Sequence, residues 1–176
     1  MRTVVTLLVV LLSFPVFGQN SKAVTLRSIL LEQLHTTHDQ KDWFVPIDVA
    51  VDGVTAEQAT WKDGSGNHSV GQLTYHLLFW NQRELVKFKG EPDKKFSGNN
   101  DETFNHFDTK KWNDTVKQLN QVMSDLEKLV ETADEQKLEK WAPEIARIGT
   151  HNAYHVGQIV FVRKAQGSWN PEKGVK

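Results

Sequence analysis

Ser69-Val70-Gly71-Gln72-Leu73-Thr74-Tyr75-His76-Leu77-Leu78-Phe79-Trp80 contains both a helix start and a helix face. Ser69 and Gln72 have the spacing of a capping box, in which the serine hydroxyl accepts from the first turn while the glutamine amide reaches back. Leu73, His76, Leu77 and Trp80 then recur at three- and four-residue spacing, the period of a helix with one apolar face. The pattern continues through Leu85 to about Lys89, where Gly90 and Pro92 stop it. A strand would alternate apolar and polar residues. The segments on either side repeat the helical spacing instead.

Working outward, a first helix is expected from about Ser21 to Lys41, with Leu26, Ile29, Leu30, Leu34 and His38 along its stripe. The connector over 42–67 holds Pro46, Gly53, Trp61, Gly64 and Gly66, with a short helical turn near 54–59. Residues 91–108 are polar and read as a second long connector, of the kind that crosses between helices that are not hairpin neighbours. Asp108 is a suitable N-cap for a third helix carrying Trp112, Val116, Leu119, Val122, Met123, Leu126 and Leu129. Thr132-Ala133-Asp134-Glu135 offers a cap for a short helix in the next connector. Pro143 suits the first turn of the last helix, which runs to about Gln166 and ends at Gly167. The expectation is an all-α protein, a four-helix bundle with long connectors.

The start of the chain reads differently. Met1 and Arg2 precede an apolar run from Val4 to Leu12 broken only by Thr6, followed by Pro15 and Val16-Phe17-Gly18. A charged start, an apolar middle and a small-residue end make a secretory signal peptide. The run is shorter than the roughly 20 residues that span a bilayer. The expected division is therefore a signal peptide over 1–18 and one domain over 19–176. The product is exported, periplasmic or secreted, and has no membrane anchor after cleavage. The chain contains 0 cysteines, which excludes a disulfide framework, a thiolate metal site and a thiol nucleophile. With 21 basic and 22 acidic side chains and no basic stripe, nucleic acid is not an expected partner.

The chemistry sits in His151-Asn152-Ala153-Tyr154-His155. Imidazoles four apart on a helix lie one above the other, so two ring nitrogens can approach one ion. The same spacing also fits one core and one surface histidine. His76, among Leu73, Leu77 and Trp80, supplies a third imidazole from another helix, or else a core histidine satisfied by one hydrogen bond. Three neutral imidazoles and an open position suit zinc, nickel or iron. Gln158 falls one turn beyond His155, where an amide can orient a ligand. Asn152 occupies the position where a His-Glu zinc protease keeps its general base, and an amide cannot take a proton.

Glu144, two turns before His151, and Arg83, two turns beyond His76, are the candidates for acid–base work and anion binding. Both also fit as surface residues. Trp61, Trp80 and Tyr154 either wall a pocket or pack the core. His35 and His38, three apart, form either a second metal pair or a polar helix end. His68 turns a loop or lies at the mouth of the site, and His106 reads as solvated.

These motifs resemble the DinB-like metal-binding four-helix-bundle superfamily. Ser69 through His76 resembles its second-helix motif, and His151 through Ile159 its last-helix motif. Asp42-Trp43-Phe44, Gln58-Ala59-Thr60-Trp61 and Gly167-Ser168-Trp169 are similar to family members as well. The resemblance implies up-down-down-up topology and a three-histidine metal site whose ligands here are His76, His151 and His155. It also implies frequent homodimers, and a thiol S-transferase or related isomerase activity in some members. The signal peptide departs from the cytosolic transferases, whose small thiols are cytoplasmic. The expected function is a metal-dependent, hydrolase-like enzyme acting on a small molecule. A non-catalytic metal-binding bundle and a thiol S-transferase are the alternatives.

Overall fold

A computed structural model describes residues 23–92 and 95–175. The segment read as a signal peptide, 1–18, lies outside the described residues. Among the described residues every regular element is helical: α1 (Leu26–His38), α2 (Ile47–Val51), α3 (Ala56–Thr60), α4 (Val70–Lys89), α5 (Trp112–Thr132) and α6 (Glu135–Ala165), with 3-10 turns at Asn100–Phe104, Thr109–Lys111 and Pro171–Lys173. None of these helices is long and apolar enough to cross a membrane.

The decisive stretch folds as its residues dictate. Ser69 Oγ accepts from Gln72 N at 3.2 Å, and Gln72 Oε1 accepts from Ser69 N at 3.1 Å. At the other end Gly90 takes φ 78°, the left-handed conformation that closes a helix and favours glycine. α1 is shorter than the expected Ser21–Lys41. Thr25 and Ser28 form a reciprocal cap that starts it at Leu26, and the His35 carbonyl accepts from both Asp39 N and Gln40 N at its end. The connector over 42–67 contains a helix that periodicity did not reveal. α2 is only five residues long, yet Ile47 and Ala50 within it are fully buried.

The last helix is the larger correction. Asp134, not Pro143, begins it: Asp134 Oδ1 accepts from Lys137 N at 2.7 Å, and the helix runs unbroken to Ala165 with Pro143 inside. Proline removes the amide that would bond the carbonyl of Glu139, a defect that costs about 3 kcal/mol in a helix interior. Glu139 is exposed, so water can take that carbonyl. Buried Leu138 and Ile145 on either side, with Trp141 set edge-on against Phe88, hold the helix together across the gap.

α1 packs against α5 and α6, and α4 packs against α5 and α6. Gly149 lies where α6 meets α1; a Cβ there would run into the Gln33 side chain. Along the α4–α6 contact, His76 meets His155, Asn81 meets Asn152 and Phe88 meets Trp141. Partner numbers fall as α4 advances, so the two helices run in opposite directions. That direction brings the second turn of α4, where His76 lies, level with the histidine pair of α6.

Candidate metal centre

His76 from α4 and His151 and His155 from α6 converge. Each offers a ring nitrogen, and these nitrogens lie within 4.8 Å of one another. His76 Nε2 and His151 Nε2 are 3.2 Å apart. His76 and His155 are buried, while His151 is half-buried.

Hydrogen bonds fix which nitrogen of two rings faces the centre. Thr103 Oγ1 donates to the Asn100 carbonyl at 2.6 Å, so its hydrogen is already used. It must therefore accept from His76 Nδ1–H, 2.5 Å away, which leaves the Nε2 lone pair of His76 free. Gln158 Oε1, a carbonyl oxygen, can only accept, and it lies 2.6 Å from His155 Nδ1. His155 is thus protonated at Nδ1 as well, with its Nε2 bare. Gln158 is held in turn by donating from Nε2 to Tyr154 Oη at 3.2 Å. Outer partners of this kind set tautomer and ring orientation in metal-ligating histidines.

Charge state points the same way. Burial, with His155 and His151 beside it, pushes the His76 pKa down to about 3. Burial, with His151 beside it, pushes His155 down to about 4 against the opposing Gln158 hydrogen bond. Burial also lowers His151. All three imidazoles are therefore neutral at pH 7, as metal ligation requires. The donor set fits a three-histidine ion with an open position.

The surroundings stiffen the arrangement. Phe104 stacks on His76 with ring centroids 3.9 Å apart, and His68 stacks on the Phe104 ring at 3.8 Å. Near the triad, Asn81 and Asn152 exchange amide hydrogen bonds at 2.8 Å and 3.2 Å, and Asn81 also donates to the Leu77 carbonyl. This buried pair ties α4 to α6. It accounts for an amide at position 152, where a protease would place a base.

A cavity of about 280 Å³ opens on His151 and is lined by Trp80, Asn81, Glu84, Asn100, Glu144, Arg147 and Ile148. Glu144 lies there as its sequence position suggests, ion-paired with Arg147. Arg83 does not. Its guanidinium lies over Phe79 and Phe96, at 5.6 Å and 5.8 Å, and lines a different cavity with Tyr75 and Pro92. Trp80 and Arg83, at four and seven residues from His76, sit about 60° apart around the helix. That offset places them on opposite flanks, with Trp80 on the cavity side. A larger cavity of about 800 Å³ lies between α2 and α5 and contains none of the three histidines.

The other sequence candidates separate. Trp61 lines a small cleft with His68 and Phe161, outside the triad's cavity. Tyr154 is 63% exposed and borders the site from outside, its ring edge-on to His155 with centroids 5.0 Å apart and its hydroxyl accepting from Gln158. His106 is exposed, with its ring beside Tyr75. His38 is not a polar helix end: it is buried, with Nδ1 2.8 Å from Glu127 Oε1. Sequence reasoning missed Thr103 and Phe104, which are buried inside a connector that reads as polar. It also missed Asn81, whose signal was available as an amide following an apolar helical run.

If Gln158 orients His155, Gln158→Leu should weaken zinc binding by about 10- to 100-fold, the usual effect of losing such a partner. Competition against a chromophoric chelator reads this directly. An affinity unchanged from wild type would remove Gln158 from the site.

A sequence model of the DinB superfamily matches residues 47–161, a span holding all three histidines and Gln158. No curated protein and no solved structure matches the chain.

Proposed function

The chain belongs to the DinB superfamily, and from that premise we propose that it is an exported metal-dependent enzyme whose ion is held by His76, His151 and His155. The observation that carries this reading is the convergence of three neutral imidazoles, two of them with Nδ1 already committed to Thr103 and Gln158. Zinc, nickel and iron all suit three imidazoles. Export rests on the charged, apolar and small-residue order of residues 1–18, which leaves 19–176 as the mature domain.

When bound, the ion supplies Lewis acidity to a polar atom of a small-molecule substrate. The chain's own residues do the rest. Trp80 and Ile148 form apolar walls that help exclude water from the cavity. Glu144 is placed to accept or donate a proton there, and Arg147 orients its carboxylate. With 0 cysteines in the chain no protein thiol takes part, and export away from the cytoplasmic small thiols favours a hydrolase-like reaction. We also assign up-down-down-up topology. Support comes from the opposed run of α4 and α6 and from α1 running the same way as α6, with Arg27 meeting Glu135 and Gln33 meeting Gly149. A homodimer is supported by Tyr154 and Phe161, both 63% exposed and seven residues apart on α6; light scattering reads this directly.

The test is a screen of ester, amide and thiol-transfer substrates with zinc-, nickel- and iron-loaded protein. Turnover should be abolished by chelation and fall about 100-fold or more in Glu144→Gln, the scale of losing a positioned proton-transfer group. Metal-loaded protein inert toward every substrate class would sink the enzymatic reading and leave a metal-binding bundle.

A further inference from the structure

A second set of donor groups meets where α1 packs on α5. The Glu127 side chain is only 11% exposed, and two imidazoles aim at one of its oxygens: His38 Nδ1 lies 2.8 Å from Oε1 and His35 Nδ1 lies 3.5 Å from it. Asp39, at the end of α1, brings Oδ1 to 3.9 Å from the same His35 nitrogen. A buried carboxylate is costly to hold without compensation, so the question is what supplies it.

His38 supplies part. Its Nδ1 lies 2.8 Å from Glu127 Oε1, within hydrogen-bond reach, and a carboxylate oxygen accepts. Its Nδ1–H therefore donates to Glu127. His35 behaves differently. Its Nδ1 is buried and has no hydrogen-bond partner, because 3.5 Å from Oε1 is beyond hydrogen-bond reach. An orphaned ring nitrogen thus faces two carboxylates, with the three donor atoms within 4.8 Å of one another. Ligand atoms around a tetrahedral ion with bonds near 2.1 Å stand about 3.4 Å apart, close to the 3.5 Å and 3.9 Å that separate His35 Nδ1 from the two carboxylates.

We propose that His35, Asp39 and Glu127 form a second divalent-cation site, with His38 holding the Glu127 carboxylate in place. One imidazole and two carboxylates suit zinc, manganese or ferrous iron. The two carboxylates balance the charge of the ion, and the ion gives the His35 nitrogen its missing partner. His38 then acts as the outer hydrogen-bond partner that orients a ligating carboxylate. This site is independent of the three-histidine centre, since it uses neither α4 nor α6.

Equilibrium dialysis of the full chain against zinc at neutral pH, with bound metal read by elemental analysis, tests the assignment. Wild type should hold two equivalents, and His35→Ala/Asp39→Asn one. His35 and Asp39 side chains are 32% and 48% exposed, so this variant should keep its fold, which circular dichroism checks. Glu127→Gln, which keeps an acceptor for His38 but lacks the charge, should lose the same equivalent. Zinc content in His35→Ala/Asp39→Asn equal to wild type would overturn the proposal, and is the result expected if only water bonds His35. Failure of the three-histidine reading shows separately, as zinc content unaffected in His151→Ala/His155→Ala.

Discussion

Alanine at both His151 and His155 should abolish the zinc equivalent held between α4 and α6, weakening binding there by more than about 100-fold, since outer partners alone are worth 10- to 100-fold. His76 would remain, fixed by Thr103 and stacked on Phe104, but one imidazole does not make a tight site. The effect should carry a pH signature. An ordinary imidazole is protonated below about pH 6.5 and then releases metal. Here burial holds His76 near 3 and His155 near 4, so wild type should retain the ion when pH is lowered from 7 to 5.

The same shifts fix the sign of stability without metal. The unfolded chain takes up these protons near pH 6.5 while the folded chain refuses them until far lower, so stability falls as pH drops below about 6.5. The urea midpoint of metal-free wild type should accordingly fall between pH 7 and pH 5, and more than that of the double variant, which lacks two of the depressed groups. Raised His38 contributes in the opposite sense, with stability present below pH 6.5 and lost as pH rises through its folded value, but that contribution is common to both proteins. Equal zinc affinity in the two proteins would end the three-histidine reading.

Arg163→Met should lower stability by about 3 kcal/mol, the sum of orphaning one buried and one part-buried acceptor. In a protein of this size that is a fall of about 6–12 °C in Tm. Arg163 is 3% exposed. Its Nη1 donates to the Ala50 and Asp52 carbonyls at 2.7 Å and 3.1 Å, and Nη2 donates to the Ser168 carbonyl at 2.9 Å. The guanidinium also lies over the Trp169 ring, 5.2 Å from its centroid. One side chain thereby clamps α2 and the chain end onto α6. Methionine fills the space but leaves the Ala50 and Ser168 carbonyls without that donor, while the Asp52 carbonyl keeps Lys173 Nζ at 3.0 Å. Arg163→Lys should restore little, because one ammonium cannot reproduce the planar fork that reaches both segments. Thermal unfolding followed by circular dichroism checks this, and a Tm within 2 °C of wild type would refute it.

Residues 69–90 determined their own structure, because every signal in them is local. Ser69 and Gln72 are one turn apart, the apolar positions repeat with the helix, and Gly90 is where a left-handed residue is needed. The four long helices and the pairing of His151 with His155 were legible for the same reason: spacing along one helix is geometry the chain carries with it. The motifs around His76 and His151 also sufficed for the family.

What packing decided could not be read this way. Pro143 sits inside α6 because Leu138, Trp141 and Ile145 bury themselves on other helices, a long-range effect that overrides a local break. Thr103 and Phe104 belong to a polar-looking connector, and only its return over α4 sets them against His76. Arg83 and Trp80 both touch Phe96 of the connector, yet Trp80 lines the cavity beside His151 and Arg83 a different one. His38 is buried because α5 presents Glu127 to it. The sequence therefore determined which imidazoles share a helix face. The tertiary structure decided which of them meet, which nitrogen each one turns inward, and that burial keeps them neutral.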